Sequence, residues 1–249
     1  VVGHSQGGRV TALPSSIAAF VEELAESNGV EAVVLGGSRA DGSADSHSDW
    51  DLGVFYRGPI DLSVVSARGE VHPPGSWGRL MNGGAWLQID GERVDVLLRD
   101  LDVVEHWAVL ARRGEYEVDS LLGYVAGFPT YTLVAEVASS RLLHGRLRID
   151  TEFTDALVAS TTQRWGFQRD FSLDYAKSHA VRGNRVAAVG NLARAVVEEA
   201  HRRLCERRQW SVNEKRLLDR VGLESVNREF ASDGDVDALI ESVAHVLRP

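Results

Sequence analysis

Apolar positions fall into two textures along the chain. From Val30 to Arg99, short apolar runs rich in Val, Leu and Ile alternate with Gly, Pro and Ser, as strands and turns do. From about Thr151 onward Gly and Pro thin out, and apolar residues recur at helical spacing. The first half predicts a helix over Pro14–Ser27, with Ile17, Phe20, Val21 and Leu24 on one face and Asn28-Gly29 as its stop. It then predicts a buried strand over Val30–Leu35, a turn at Gly36-Gly37-Ser38 leading into a polar loop, and a strand over Trp50–Tyr56. Ala85–Ile89 and Arg93–Leu98 read as a hairpin about Asp90-Gly91, followed by a helix over Leu101–Arg113. The second half predicts helices over Tyr131–Leu143, Thr154–His179, Val186–Gln209, Asn213–Val221 and Val236–Leu247, with Val186, Val189, Leu192, Ala193, Val196 and Val197 as an apolar stripe. The expected fold is α+β, with a sheet domain over residues 1–148, of which 1–13 is a flexible tail, and a helical bundle over 149–249.

Composition changes this picture little. The 249 residues are 44% apolar and 25% charged, as in an ordinary globular chain. No run approaches the roughly 20 apolar residues of a membrane span, and the first ten residues lack a basic segment followed by an apolar one, so a cytoplasmic location is expected. The chain starts at Val1 and not at Met. A net charge of −9 argues against a long nucleic acid as partner, yet leaves room for a single nucleotide balanced by metal ions. The single cysteine, Cys205, excludes an intramolecular disulfide and lies near Ala200 and Leu204 in a helical pattern, as a buried, inert thiol does.

The chemistry concentrates in three places. Asp49 and Asp51 stand two apart at the start of a strand, so both carboxylates project to one face while Trp50 and Leu52 point to the core. Two adjacent carboxylates repel unless a cation lies between them, and hard oxygen donors suit Mg²⁺. Asp-x-Asp alone is common and often marks solvated acids. Here, however, it follows Gly37-Ser38, where small residues let backbone N–H groups and a hydroxyl approach a phosphate. Asp95, inside the apolar run Val94 to Leu98, is costly unless paired or coordinated, and reads as a third metal ligand or a general base.

In this order, Gly37-Ser38, Asp49, Asp51 and Asp95 resemble the polymerase-β-like nucleotidyltransferase superfamily, and Arg39-Ala40 after Gly37-Ser38 resembles its small-molecule branch, which acts on aminoglycosides or lincosamides. The resemblance implies a mixed sheet flanked by helices ahead of the helical bundle. It implies ATP as co-substrate with Mg²⁺, held by Asp49, Asp51 and Asp95, and transfer of a nucleoside monophosphate to a hydroxyl of a small acceptor with release of pyrophosphate. Gly37, Ser38, Arg39 and Lys215 are then expected at the nucleotide. A homodimer is compatible with it, because some relatives complete their cleft across two chains. Two rival readings are a regulatory or antitoxin-like binding protein on the same fold, and an enzyme that adenylylates a protein or a transfer RNA end.

Several further patterns have ordinary explanations. Gly3-His4-Ser5-Gln6-Gly7 matches a hydrolase nucleophile elbow, whose strained turn needs a sheet before it; with only Val1-Val2 ahead of it in this sequence, a flexible tail is the expectation. Arg194 and His201 share a helix face at a spacing resembling a ribonuclease motif of small helical toxins, which Arg-rich helices also produce by chance. His47 reads as a solvated loop residue and His72-Pro73-Pro74-Gly75 as a rigid turn. Trp165, Phe167, Phe171 and Tyr175 are expected in the core, with an aromatic wall for a base or sugar as the alternative, and Glu136 is left without a role.

Overall fold

The structure is a computed structural model describing residues 12–42, 44–45, 48–231 and 234–248. The Gly3–Gly7 pattern, the tail as far as residue 11, and His47 lie outside the described residues. The elements run α1 (Ser15–Glu26), β1 (Val30–Leu35), α2 (Gly37–Asp41), β2 (Trp50–Tyr56), α3 (Ser63–Ser66), β3 (Val71–His72), α4 (Gly78–Met81), β4 (Gly83–Ile89), β5 (Glu92–Asp100), α5 (Leu101–Arg112), β6 (Val118–Asp119), β7 (Phe128–Pro129), α6 (Thr132–Ser139) and β8 (Arg141–Gly145). Helices α7 (Asp155–Val181), α8 (Arg185–Glu206), α9 (Leu217–Val221), α10 (Val226–Phe230) and α11 (Val236–Val246) follow. The expected α+β fold is observed: a mixed sheet with helices, then a C-terminal helical region. Two compact units are formed, one from the residues up to Ala108 with Leu133–Thr151, the other from Val109–Thr132 and the residues after Thr151.

In the first unit the sheet order among the described residues is β3-β4-β5-β2-β1-β8. Only β2 and β5 run parallel; the other neighbours are antiparallel. The apolar face of α1 buries Ile17, Phe20, Val21 and Leu24 against Val33, Leu35, Trp50, Leu52, Val54, Val94, Val96 and Leu98. Each such side chain contributes about 1.5–3 kcal/mol on burial. This alternation decides the rest of the unit. With Trp50, Leu52 and Val54 turned to the core, Asp51 and Gly53 face the other side; with Val94, Val96 and Leu98 inward, Asp95, Leu97 and Arg99 do the same.

Two expectations need correcting here. The helix predicted over Tyr131–Leu143 stops at Ser139, and Arg141–Gly145 is strand β8 on the edge of β1. Leu142 and Leu143 carry helical propensity, but the open edge of β1 satisfies their backbone, so tertiary pairing overrides the local preference. The polar loop after Gly36 also contains a single helical turn, α2.

In the second unit α7 starts at Thr154, whose hydroxyl accepts a hydrogen bond from the Leu157 amide at 3.2 Å, and α8 starts at Asn184. Ala176, Ala188, Leu192, Ala195, Val196, Ala200 and Leu204 form its core with Leu217, Val221, Leu239, Ile240 and Val243. The helix predicted over Asn213–Val221 begins only at Leu217, because the Asn213 side chain accepts from the Lys215 amide at 2.9 Å and Arg216 takes a left-handed φ of 55°. Core packing holds for Trp165, which is buried, but Phe167, Phe171 and Tyr175 are exposed on another face of α7 and stack on one another. Cys205 is buried against the Tyr131 hydroxyl, and burial pushes its thiol up to about 11, as expected of an inert thiol. No helix among the described residues is long and apolar enough to cross a membrane.

Helix α8 also buries a carboxylate that gives this unit an acid-sensitive element. Glu199 is fully buried and accepts from Arg169, Arg202 and Arg203 at 2.7–2.9 Å. Burial alone would raise its pKa; the three guanidiniums outweigh that and hold it below the usual carboxylate range. A depressed folded pKa contributes stability above the unfolded value that is lost as pH falls through the folded one. Its neighbour Glu198 is shifted the other way, burial outweighing Arg194 and Ser172. Glu199→Gln is therefore expected to melt below the wild type at pH 7, with the gap closing as the pH falls below about 4. Thermal melts between pH 3 and 7 check this, and a gap independent of pH would contradict it.

Candidate active site

The site residues of the first unit assemble on the sheet face opposite the core. Gly36 ends β1 in extended geometry and donates its amide to the Asp51 carbonyl at 2.7 Å, which ties the turn to β2. Gly37 then takes φ +60°, and a Cβ there would overlap the Asp51 carboxylate. Glycine is thus required twice over, by the left-handed backbone and by the carboxylate lying against it. The Gly37 backbone is exposed, and Ser38 is half-buried in the first turn of α2.

Across the sheet, Asp51 of β2 lies in register with Asp95 of β5, and Asp95 lies in register with Trp86 of β4. Adjacent strands are about 4.8 Å apart, so one row reads Gly37, Asp51, Asp95, Trp86. One row further along, Asp49 Oδ1 lies 2.6 Å from Arg93 Nε in an ion pair. That oxygen is enclosed and without a hydrogen bond, so the pair is a charge contact lacking hydrogen-bond alignment.

Arg39 secures the approach to this row. Its guanidinium donates to the Ser48 carbonyl at 2.6 and 3.1 Å and to the Asp49 carbonyl at 3.2 Å, and it lies 4.1 Å from the Trp50 ring centroid. The Trp50 indole N–H in turn donates to Glu92. Arg39 thereby fixes the last two residues before β2 and the direction in which Asp49 leaves the chain.

The donor set suits a hard divalent cation: two carboxylates in register on one face, and a third whose enclosed oxygen lacks a hydrogen bond. Among the described residues no group of three or more His, Cys, Asp or Glu side chains is gathered closely enough to hold a metal ion. The ion pair with Arg93 is the physical reason to expect Asp49 outside such a cluster, since a guanidinium already neutralises it. Lys215 lies in the second unit, exposed in the turn before α9. Beside it, Glu214 accepts from the Val125 and Ala126 amides at 2.6 and 2.9 Å.

Sequence reasoning missed two features. Arg99 is buried on the same face as Asp95, and its guanidinium makes a paired contact with Glu136 at 2.6 and 2.8 Å while donating to the Met81 and Leu98 carbonyls. The alternation Asp95, Leu97, Arg99 was the available signal. The second is an aromatic cluster: His72, read as part of a turn, ends β3 and packs with Trp77 and Trp86. The Arg194–His201 spacing brings the two residues to different neighbours, Arg194 to Glu198 at 2.8 Å and His201 into a stack on Trp165.

Residues 17–106 match the family model described as a nucleotidyltransferase domain, a span that contains Gly37, Asp49, Asp51 and Asp95. A solved structure described as a nucleotidyltransferase-like protein from Exiguobacterium sibiricum 255-15 is 14% identical, with a TM-score of 0.43 over 94% of this chain and 73% of that one. No curated protein matches the chain.

Proposed function

We propose that the chain transfers a nucleoside monophosphate, AMP from ATP, to a hydroxyl of a small acceptor such as an aminoglycoside or lincosamide, and releases pyrophosphate. The observation that carries this is the single row Gly37, Asp51, Asp95 on one sheet face within a span matching a nucleotidyltransferase domain. The acceptor oxygen bonds to the α-phosphorus as the bond to pyrophosphate breaks, and the hydroxyl proton leaves to a base.

Bound Mg²⁺ would supply charge neutralisation at the phosphates, with Asp51 and Asp95 as its holders and Asp49 joining on release from Arg93. The backbone at Gly37 and the Ser38 hydroxyl offer donors to phosphate oxygens. Asp95 serves as a further ligand or takes the acceptor's proton. Arg39 holds the strand entrance, so that the carboxylates meet the nucleotide already oriented. The rest of catalysis is positioning.

The test is pyrophosphate release by the purified chain with ATP and Mg²⁺ across aminoglycosides, lincosamides and other hydroxylated acceptors. Acceptor-dependent release that disappears with chelator is expected; no release with any acceptor would contradict the proposal. The Asp49–Arg93 ion pair favours one second reading, a catalytically weak nucleotide-binding protein. ATP binding without turnover, unchanged in Arg93→Ala, would support it.

A further inference from the structure

At the end of the carboxylate row, away from Gly37, the sheet carries a cluster of aromatic side chains. Trp86 is 62% exposed, an aromatic side chain of β4 turned from the core, where Ala85 and Leu87 are buried. Trp77 packs against it with ring centroids 4.9 Å apart, and His72 completes the cluster at 5.1 Å from Trp77 and 5.0 Å from Trp86. Gly84 makes room for this arrangement: a Cβ there would lie 2.7 Å from the Trp77 ring and would also overlap the Val96 carbonyl. His72 pairs with Gly84, so all three rings share the face of Asp95 and Asp51. An exposed tryptophan clustered with two other rings is a costly feature on a solvated surface and an effective one in a binding site.

The direction of the row assigns the occupant. If phosphates sit at Gly37, in-line displacement puts the attacking hydroxyl and the departing pyrophosphate on opposite sides of the phosphorus. The acceptor then approaches from the Asp95 end, where Trp86 stands. The rings are tilted to one another, Trp77 on Trp86 by 35° and His72 on Trp86 by 69°, which makes a shallow angled face and not a parallel slot. A flat base is better served by a slot; a puckered ring seats its C–H face on such a surface. The neighbouring carboxylates add an attraction for ammonium substituents.

We infer that Trp86, Trp77 and His72 form the acceptor subsite, and that the acceptor carries a saccharide-type ring stacked on Trp86 with a hydroxyl toward Asp95. This rests on the nucleotidyl-transfer reading for the orientation of the row, but its test does not depend on turnover. Tryptophan fluorescence of the full chain is followed without nucleotide, with kanamycin as the saccharide-ring probe and adenosine as the base probe. Kanamycin should give a saturable change in the wild type, weakened about tenfold in Trp86→Ala and largely kept in Trp86→Phe, which retains a stacking face. Adenosine affinity should be the same in all three. Kanamycin binding that is absent, or indifferent to Trp86→Ala, overturns the proposal, as does a loss of adenosine binding in that variant. Ring binding at Trp86 without pyrophosphate release from any acceptor sinks the transfer reading and keeps the subsite; release with acceptor KM unaffected by Trp86→Ala sinks the subsite alone.

Discussion

Asp51→Asn is expected to lower the rate of pyrophosphate release on the order of 10³-fold, about 4 kcal/mol of transition-state stabilisation. Asparagine preserves the size of the group lying against Gly37 and removes its charge. The register with Asp95 means that the loss falls at the centre of the row, so neither Asp49 nor Asp95 can replace it from its own strand position. Thermal melts should match the wild type within about 1 kcal/mol, since Asp51 lies outside the apolar core. A variant retaining more than a tenth of wild-type activity would remove Asp51 from the mechanism. Asp95→Asn then separates the two roles open to that residue: loss of a proton acceptor changes the pH profile of the rate, whereas loss of a ligand raises the metal concentration needed.

The second large effect is on stability. Glu136→Ala removes the paired acceptor of the buried Arg99 guanidinium, whose Nη1 also donates to the Met81 and Leu98 carbonyls, a loss expected to cost about 3 kcal/mol of the roughly 5–15 typical of a domain. The cost falls at the lower end of the usual range because Glu136 is 20% exposed and water reaches its side. The paired change Arg99→Met with Glu136→Met removes both charges and should recover most of the loss. Urea titration of the three variants measures this. A loss below 1 kcal/mol in Glu136→Ala would show that Arg99 finds another acceptor.

The legible part of the protein was the part governed by local period and order. Ile17, Phe20, Val21 and Leu24 announced the buried face of α1, and the bounds of β2 followed from its alternation. Gly37, Asp51 and Asp95 could be expected together because strand periodicity fixes the face and their order fixes the strands. Pairing register is non-local, so nothing in the chain revealed that Trp86 stands beside Asp95 or that Asp51 meets Asp95 directly. Glu136 stayed without a role because its partner Arg99 is 37 positions away, on a strand whose core side alone was readable. Phe167, Phe171 and Tyr175 misled for a simpler reason: aromatic character suggests burial, while their spacing from Trp165 turns them to a different side of α7.

The edge strand β8 bears on how this protein can be cut. A fragment ending near residue 106 would include every carboxylate of the row, yet it would strip β1 of its β8 neighbour and leave the backbone groups on that edge of β1 open. Such a bare apolar edge is a template for pairing between chains. It would also part Arg99 from Glu136. The smallest excisable piece that keeps the sheet closed on that side therefore runs through Gly145, and it must carry or bridge the intervening stretch that belongs to the other compact unit. Fragments trimmed to the strands of the carboxylate row alone should be sticky, and chimaeras of this protein should be spliced after β8.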